Sequence, residues 1–520
     1  MGYLDNTTTQ KGNLRWVLAG FAALVCASLV SYVTRKWAKG ILLPEVFAQF
    51  VIEQVPGFLV ALIIGLFGKL AKWIGFILTF AGFFFVSALL AFYYRRIYEI
   101  LPSHSSPVKG LIFSLITTLM TLIVLVSIKI FAPGAVSGYA PVPAILSAVS
   151  FNLVFGLVLG ILGDWAEKGD SPRSEKNLYG LESRRDFIFA AGIIVSSIAL
   201  VGAIARDLLD AIDVGIGTAA GHIPSFFTPN NLFYTVQKDV GTPRLDSLKW
   251  SLRIDGLVRN PLLINFEELK AMSSDEQIVT LECIDNPVGG PLISNAKWRG
   301  VSLVKILERA GFNNEESLRI VVSGAGNYSD SFPASLLKDR NVMLAIEMNG
   351  QVLPPSHGFP ARLITPGLYG IKNVKWVERI KVIKGDFEGY WQERGWTYDG
   401  TIKTMSKFSV PKNGDSFSEN RIRLAGVAFA GARGLTKIEV SDDGGLNWQE
   451  AKLEDPVTGE DLSTVTSWRL WVMDWTPSRK GQHLLVVRAT DGTGTVQIAE
   501  LKDVFPDGSS GYHRIRVNVT

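Results

Sequence analysis

Six stretches of the chain are almost purely apolar: 16–34, 46–68, 73–94, 110–132, 142–163 and 187–205. A helix needs ~20 such residues to cross a bilayer, so the pattern predicts an all-α transmembrane domain over 1–210. The run 110–132 holds one charge, Lys129, and the run 46–68 is interrupted by Glu53, Gln54 and Pro56. Residues 206–246 form a link rich in Gly, Pro and Asn. From Trp250 apolar and polar residues alternate, as in a half-buried strand ending in a turn. Short helices are expected at 266–272 and 303–310. Strands are expected at 278–283, 318–322 and 343–348, the last running into Asn349-Gly350, a strong hairpin turn. Mixed short strands and helices predict an α+β domain over 211–410. Over 411–520 only alternation remains, at 421–427, 436–441, around Trp448, at 468–475 and at 483–490, with Asp/Gly turns between. That spacing predicts an all-β sandwich, immunoglobulin-like in size.

Lys and Arg are unequally shared between the loops of the first domain. Arg35, Lys36, Lys39, Arg95, Arg96, Lys109, Lys168, Arg173, Lys176, Arg184 and Arg185 fall on one side, against Lys11, Arg15, Lys69 and Lys72 on the other. The cation-rich side is expected in the cytoplasm, which puts everything after residue 205 on the extracytoplasmic side of the cell membrane. The string from Ser183 to Phe189, Ser-Arg-Arg-Asp-Phe-Ile-Phe, resembles a twin-arginine export signal, with Phe189 where the common pattern has Lys. Two ordinary positive-inside arginines are the alternative. That export route carries folded proteins, so the signal implies a cofactor inserted before export.

Several chemistries are excluded. The net charge of +4, with no basic cluster interleaved with aromatics, excludes a nucleic-acid partner. Two cysteines, Cys26 and Cys283, exclude a disulfide scaffold, a zinc ribbon and a four-cysteine iron–sulfur site. The apolar runs contain no histidine, which excludes a transmembrane bis-histidine haem. No haem-attachment or flavin motif is visible. Glu53, a lone acid in an apolar run, is either a functional group or a helix-end residue.

Two places carry candidate chemistry. Cys283 ends a strand and precedes the loop Ile-Asp-Asn-Pro-Val-Gly-Gly. It reads as a soft metal ligand, a small buried hydrophobe or a catalytic thiol. Residues 354–376 set His357, Arg362, Lys372 and Lys375 among glycines and prolines, a combination suited to an anionic phosphate or to a solvated loop. Gly367 and Gly370 permit close approach of a ligand to the backbone.

These segments, with Trp-Gln-Glu-Arg-Gly-Trp at 391–396 and the stretches 425–453 and 487–494, resemble the sulfite oxidase superfamily of molybdopterin enzymes over about 228–520. The resemblance implies a molybdenum–molybdopterin cofactor with Cys283 as the thiolate ligand and two further sulfurs from the pterin dithiolene. It implies that His357 and Arg362 bind the pterin, Lys375 its phosphate, and Asn373 a polar pterin atom. Asn230, Phe233 and Tyr234 would line the cofactor and Gly370 would be a close backbone contact. Lys372 is carried as a further cofactor contact.

The departures bear on substrate. Val236 stands where sulfite oxidases place an arginine, the loop 285–290 lacks their arginines, and Trp396 takes the place of their active-site tyrosine. A sulfite dianion wants a cationic pocket, which only Arg394 or Lys238 are left to supply. Glu282 and Asp285 flank the metal ligand as proton-handling or structural groups, and Tyr328 is a further pocket candidate. The expectation is a multidomain, membrane-anchored molybdenum oxidoreductase acting on a small molecule, with a separate quinone or cytochrome as electron partner. The sandwich is expected to mediate a homodimer. A sulfoxide-type reductase and a non-catalytic binding module are the alternatives.

Overall fold

The computed structural model describes residues 5–38, 70–100, 106–131, 141–167, 225–238, 242–313, 317–418, 421–454 and 465–520, with positions 41, 43, 46, 50 and 59. Two compact units emerge, residues 1–212 with 238–241, and residues 213–237 with 242–520. Most of the expected span 46–68 with Glu53, the span 187–205 and the Ser183–Phe189 string lie outside the described residues.

Among the described residues the first unit holds four long helices: α1 (Asp5–Ala38), α2 (Leu70–Ile100), α3 (Ser106–Phe131) and α4 (Pro141–Glu167). Three stretches in them, Trp16–Thr34, Pro107–Ile128 and Ala144–Gly163, are long and apolar enough to cross a membrane. Helices α3 and α4 meet at glycines. A Cβ on Gly156 would lie 2.4 Å from the Gly110 carbonyl oxygen and 2.2 Å from Ser114 Oγ. Small residues let backbones approach where no hydrophobic effect drives helices together. Asn152 Nδ2 donates to Thr121 Oγ1 across the same interface at 3.0 Å. The opposite face of α3 turns Leu115, Leu119, Ile123 and Val126 outward, each more than half exposed. Lys109, counted above among the loop cations, is buried at the start of α3. Its ammonium donates to the Tyr98 carbonyl at 3.0 Å and sits 3.7 Å from that ring's centre.

The second unit begins with ten strands: β1 (Ser251–Gly256), β2 (Leu262–Asn265), β3 (Asp275–Glu282), β4 (Ile293–Ser302), β5 (Leu318–Gly324), β6 (Tyr328–Pro333), β7 (Met343–Met348), β8 (Gln351–Val352), β9 (Arg362–Ile364) and β10 (Val377–Lys384). They form two sheets. One runs β2-β1-β10-β5-β6, and the other β3-β4-β7-β8 with β9 on the far side of β7. Helices Phe266–Met272 and Leu303–Arg309 close the first sheet's core through Leu269, Ile306 and Leu307 against Leu252, Ile254, Ile320 and Ile380. The first of these helices has its expected bounds because Asn265 caps it, its side-chain oxygen accepting from the Glu268 amide.

Eight further strands follow: β11 (Met405–Val410), β12 (Ser416–Phe417), β13 (Ile422–Phe429), β14 (Leu435–Ser441), β15 (Gln449–Leu453), β16 (Arg469–Trp475), β17 (Gly481–Asp491) and β18 (His513–Val519). They pair as β11-β13-β16-β15-β14-β17-β18-β12, a β-sandwich around Trp471, Trp475, Leu485, Val487 and Ile515. The expected start at 411 cuts off β11, which pairs with β13 from Met405 onward. Its alternation is short and polar, and only the partner strand reveals it.

Candidate functional site

Strands β3 and β4 pair residue for residue up to Glu282 opposite Ile293, so residues 283–292 form the loop between them. The loop is closed at its neck by the Cys283 amide, which donates to the Leu292 carbonyl at 2.9 Å. Asn286 staples it from within. Its Oδ1 accepts from the Leu292 amide at 3.0 Å, and its Nδ2 donates to Glu282 Oε1 at 2.9 Å. Cys283 is thus held rigidly at a strand end, buried among Phe233, Tyr234, Leu292 and Trp298.

Several predicted site residues converge on this cysteine. Gly370 sits where an added Cβ would be 2.9 Å from the Tyr234 hydroxyl and 3.7 Å from Cys283 Cα. The Phe233 ring stacks beside Tyr234 and meets His357 and Trp298 edge-on, at 5.4 and 5.7 Å between centres. His357 Nε2 lies 3.1 Å from the Asn230 carbonyl oxygen, so that nitrogen carries the proton. His357 Nδ1 is then an acceptor, buried and without a partner among the described residues. Burial beside Arg362 and Lys375 pushes the imidazole down to about 3, so it is neutral. Arg362 is buried, with Nη1 donating to the His357 carbonyl at 3.2 Å and Nε unmatched among the described residues. Its guanidinium meets no carboxylate among the described residues, and burial draws it down to about 10. Lys375 donates to the Ser356 carbonyl at 2.8 Å.

A buried guanidinium without a counter-ion is costly. Here it lies beside a histidine with one ring nitrogen left open among the described residues, and Gly370 leaves room between Tyr234 and Cys283. Those residues fit an anionic group that reaches the cysteine with one end, as a pterin phosphate with a soft metal does.

Other candidates have structural partners. Lys372 gives its ammonium to Asp330 Oδ1 at 2.6 Å and to the Ser331 carbonyl at 3.1 Å, in a fully buried pair. Asn373 clamps the loop before it, accepting from the Thr365 amide and donating to the Leu368 and Tyr369 carbonyls. The Asn230 side chain binds the Asn349 turn and the Met348 carbonyl, and only its backbone reaches His357. Lys372 and Asn373 thus hold the loop that carries Gly370 through protein partners.

On the other side of the cysteine, Tyr328 donates to the Ile371 carbonyl at 2.6 Å. Burial, then the charges of Asp330 and Cys283, raise its phenol. Trp396 is buried with Ile284, Ile371 and Phe505, its indole N–H unmatched among the described residues. Asp285 is half-buried on the loop. Arg394 donates to the Tyr390 carbonyl at 2.7 Å, and its guanidinium carbon lies over the Tyr390 ring, 3.6 Å from the centre. Glu282 is fully buried, and burial pushes its carboxyl up to about 7, opposed by Asn286 and Lys407. Sequence reasoning did not find Asp330, Lys407, Ser509 or His513, whose partners lie far away along the chain.

Residues 239–391 match the model of the oxidoreductase molybdopterin binding domain, and residues 394–520 that of the Mo-co oxidoreductase dimerisation domain. The chain belongs to the sulfite oxidase superfamily of molybdopterin-binding proteins, and the cofactor that goes with this fold is molybdenum–molybdopterin. It is 29% identical over 343 residues to mitochondrial sulfite oxidase of Rattus norvegicus, covering 57% of this chain and 62% of the relative. It is 29% identical over 304 residues to the NAD(P)H nitrate reductase of Hordeum vulgare, covering 48% and 34%. The chain thus spans about three fifths of the length of the sulfite oxidases it matches, 62% for the rat protein. The fold is similar to the sulfane dehydrogenase SoxCD of Paracoccus pantotrophus, with a TM-score of 0.50 and 24% identity over 59% of this chain and 85% of that one.

Proposed function

We propose that the protein is a membrane-anchored molybdenum oxidoreductase that acts on a small molecule outside the cytoplasm. The observation that carries this reading is the buried, uncompensated Arg362 beside His357, on the same wall as Cys283 and Gly370. When bound, the cofactor supplies two-electron redox and oxygen-atom transfer chemistry. Cys283 would give the protein's thiolate to the metal. Arg362, His357 and Lys375 would hold the pterin and its phosphate, Phe233 and Tyr234 would pack on it, and Gly370 would leave it room. Trp396 offers one N–H donor to a substrate and walls the pocket from water with Phe505, while Tyr328 fixes the Ile371 backbone. Asp285, half-buried beside the ligand, is the group we assign to exchange protons with solvent.

The anchoring rests on the three long apolar helices and the outward Leu115–Val126 face, which water would not tolerate. An extracytoplasmic catalytic half follows from the loop cations and the twin-arginine string. We take the immunoglobulin-like sandwich, matched to a dimerisation domain, as the homodimer contact. Electrons pass to or from a separate quinone or cytochrome, since the chain carries no second redox motif.

A second reading, reduction of an uncharged oxide such as a sulfoxide, is favoured by one observation. Two of the candidate cations already face carboxylates, Lys372 with Asp330 and Arg394 with Glu393 at 3.4 Å, and Arg362 is assigned to the pterin, which leaves less charge to attract a dianion. Two measurements separate these readings. Elemental analysis of detergent-purified protein should give about one molybdenum per chain, and none in protein from a cofactor-competent host would refute the enzyme reading. Dye-linked assays with sulfite and with uncharged sulfoxides then decide the substrate charge.

A further inference from the structure

The loop that carries Cys283 is braced from outside by the β-sandwich at three points. Lys407 of β11 donates from Nζ to the Gly290 carbonyl at 2.7 Å. Ser509 donates from Oγ to the Asn286 carbonyl at 2.7 Å. His513, the first residue of β18, packs its ring on Gly289 so closely that a Cβ there would come within 2.4 Å of Nε2. Its orientation is fixed, because Nδ1 accepts from the Phe408 amide at 3.0 Å. The Nε2 proton therefore points at the loop, and burial beside Lys407 keeps the ring neutral.

Lys407 is the strongest of the three. It is 4% exposed, although lysine is almost never fully buried without a partner. A strand residue with no role would turn such a side chain to solvent. Here the ammonium is driven inward to the loop's last turn, where its charge also acts on Glu282, the residue before the cysteine.

We propose that Lys407 is a positioning residue for the metal thiolate, so that the sandwich forms an integral wall of the molybdenum site in addition to its part in self-association. This rests on the reading of Cys283 as the metal ligand. An ammonium bound to the Gly290 carbonyl fixes the C-terminal arm of the loop, as Asn286 fixes its middle. Together they set the direction of the Cys283 side chain. Without Lys407, the carbonyl and Glu282 lose their shared cation and the arm loosens.

The test uses the full chain in detergent, with Lys407→Met as the neutral variant of similar shape and Lys407→Arg as the conservative one. Hydrogen exchange of the metal-free proteins should show residues 284–291 exchanging at least tenfold faster in Lys407→Met, with β3 and β4 unchanged and Lys407→Arg close to wild type. In cofactor-loaded protein, the Mo(V) electron paramagnetic resonance signal of Lys407→Met should split or shift in g-value and return with Lys407→Arg. Unchanged loop exchange together with an unchanged signal would overturn the proposal. If Lys407→Met unfolds globally, Ser509→Ala removes one brace from the same loop. It must then give the same loop-confined loosening, and its failure to do so overturns the proposal equally. A wild type without molybdenum would refute the ligand reading and leave the exchange arm to decide the bracing.

Discussion

The Lys372 ammonium lies 2.6 Å from Asp330 Oδ1, and both side chains are 2% exposed. Asp330 also accepts from the Ser331 amide and Gln392 Nε2, and burial raises its carboxyl in spite of the lysine. Breaking such a pair leaves one group buried and alone, at a cost of about 3–5 kcal/mol. Lys372→Met should therefore destabilise the second unit by that amount in urea or thermal unfolding. The double variant Lys372→Met/Asp330→Leu should recover most of it. A single variant that loses pterin and keeps its stability would return Lys372 to the cofactor.

Cys283→Ser changes one buried atom. Its molybdenum content should fall at least tenfold, while the metal-free chain keeps its melting temperature to within a few degrees. Equal metal in variant and wild type would rule out the thiolate ligand.

Glu282 sets a pH dependence of stability. Its carboxyl is pushed up to about 7 in the fold, against 4.5 for an ordinary glutamate. The native chain holds a proton that the unfolded chain has lost between those values. The group's contribution is complete below about pH 4.5 and is lost as pH rises through 7. Glu282→Gln removes that loss. The variant's melting temperature, minus wild type, should climb from pH 5 to pH 8 in metal-free protein, and a flat difference would contradict the assignment.

Gly156→Val should break the α3–α4 crossing, where a Cβ meets Gly110 and Ser114 at 2.4 and 2.2 Å. Gly82→Val is the control, since nothing among the described residues lies within 4 Å of a Cβ there. Limited proteolysis in detergent should cut the first variant and spare the second.

Local chemistry made much of the fold legible. Asn349-Gly350 turns with positive φ at both positions, 50° and 74°, as that dipeptide prefers. Asn265 begins its helix where an N-cap should. Cys283 could be placed at a strand end because a loop rich in Pro and Gly, Asp-Asn-Pro-Val-Gly-Gly, follows close behind it. β18 also shows alternation, with Ile515, Val517 and Val519 in the core, yet an expectation that ended at 490 left it out. Lys372 reads as a cation beside a ligand or solvent, and Lys407 gives no signal of a role in the sequence. What buries them are partners 42 and 117 positions away, which no local pattern encodes.

Ser509 braces Asn286 across 223 positions of chain. The ribosome has therefore finished the cysteine loop long before the residue that steadies it exists. Metal delivered co-translationally would meet a loop without its outer supports. Insertion belongs after synthesis, on a chain already folded back upon itself, and a fragment cut at the border between the two matched regions should prove a poor acceptor for the cofactor.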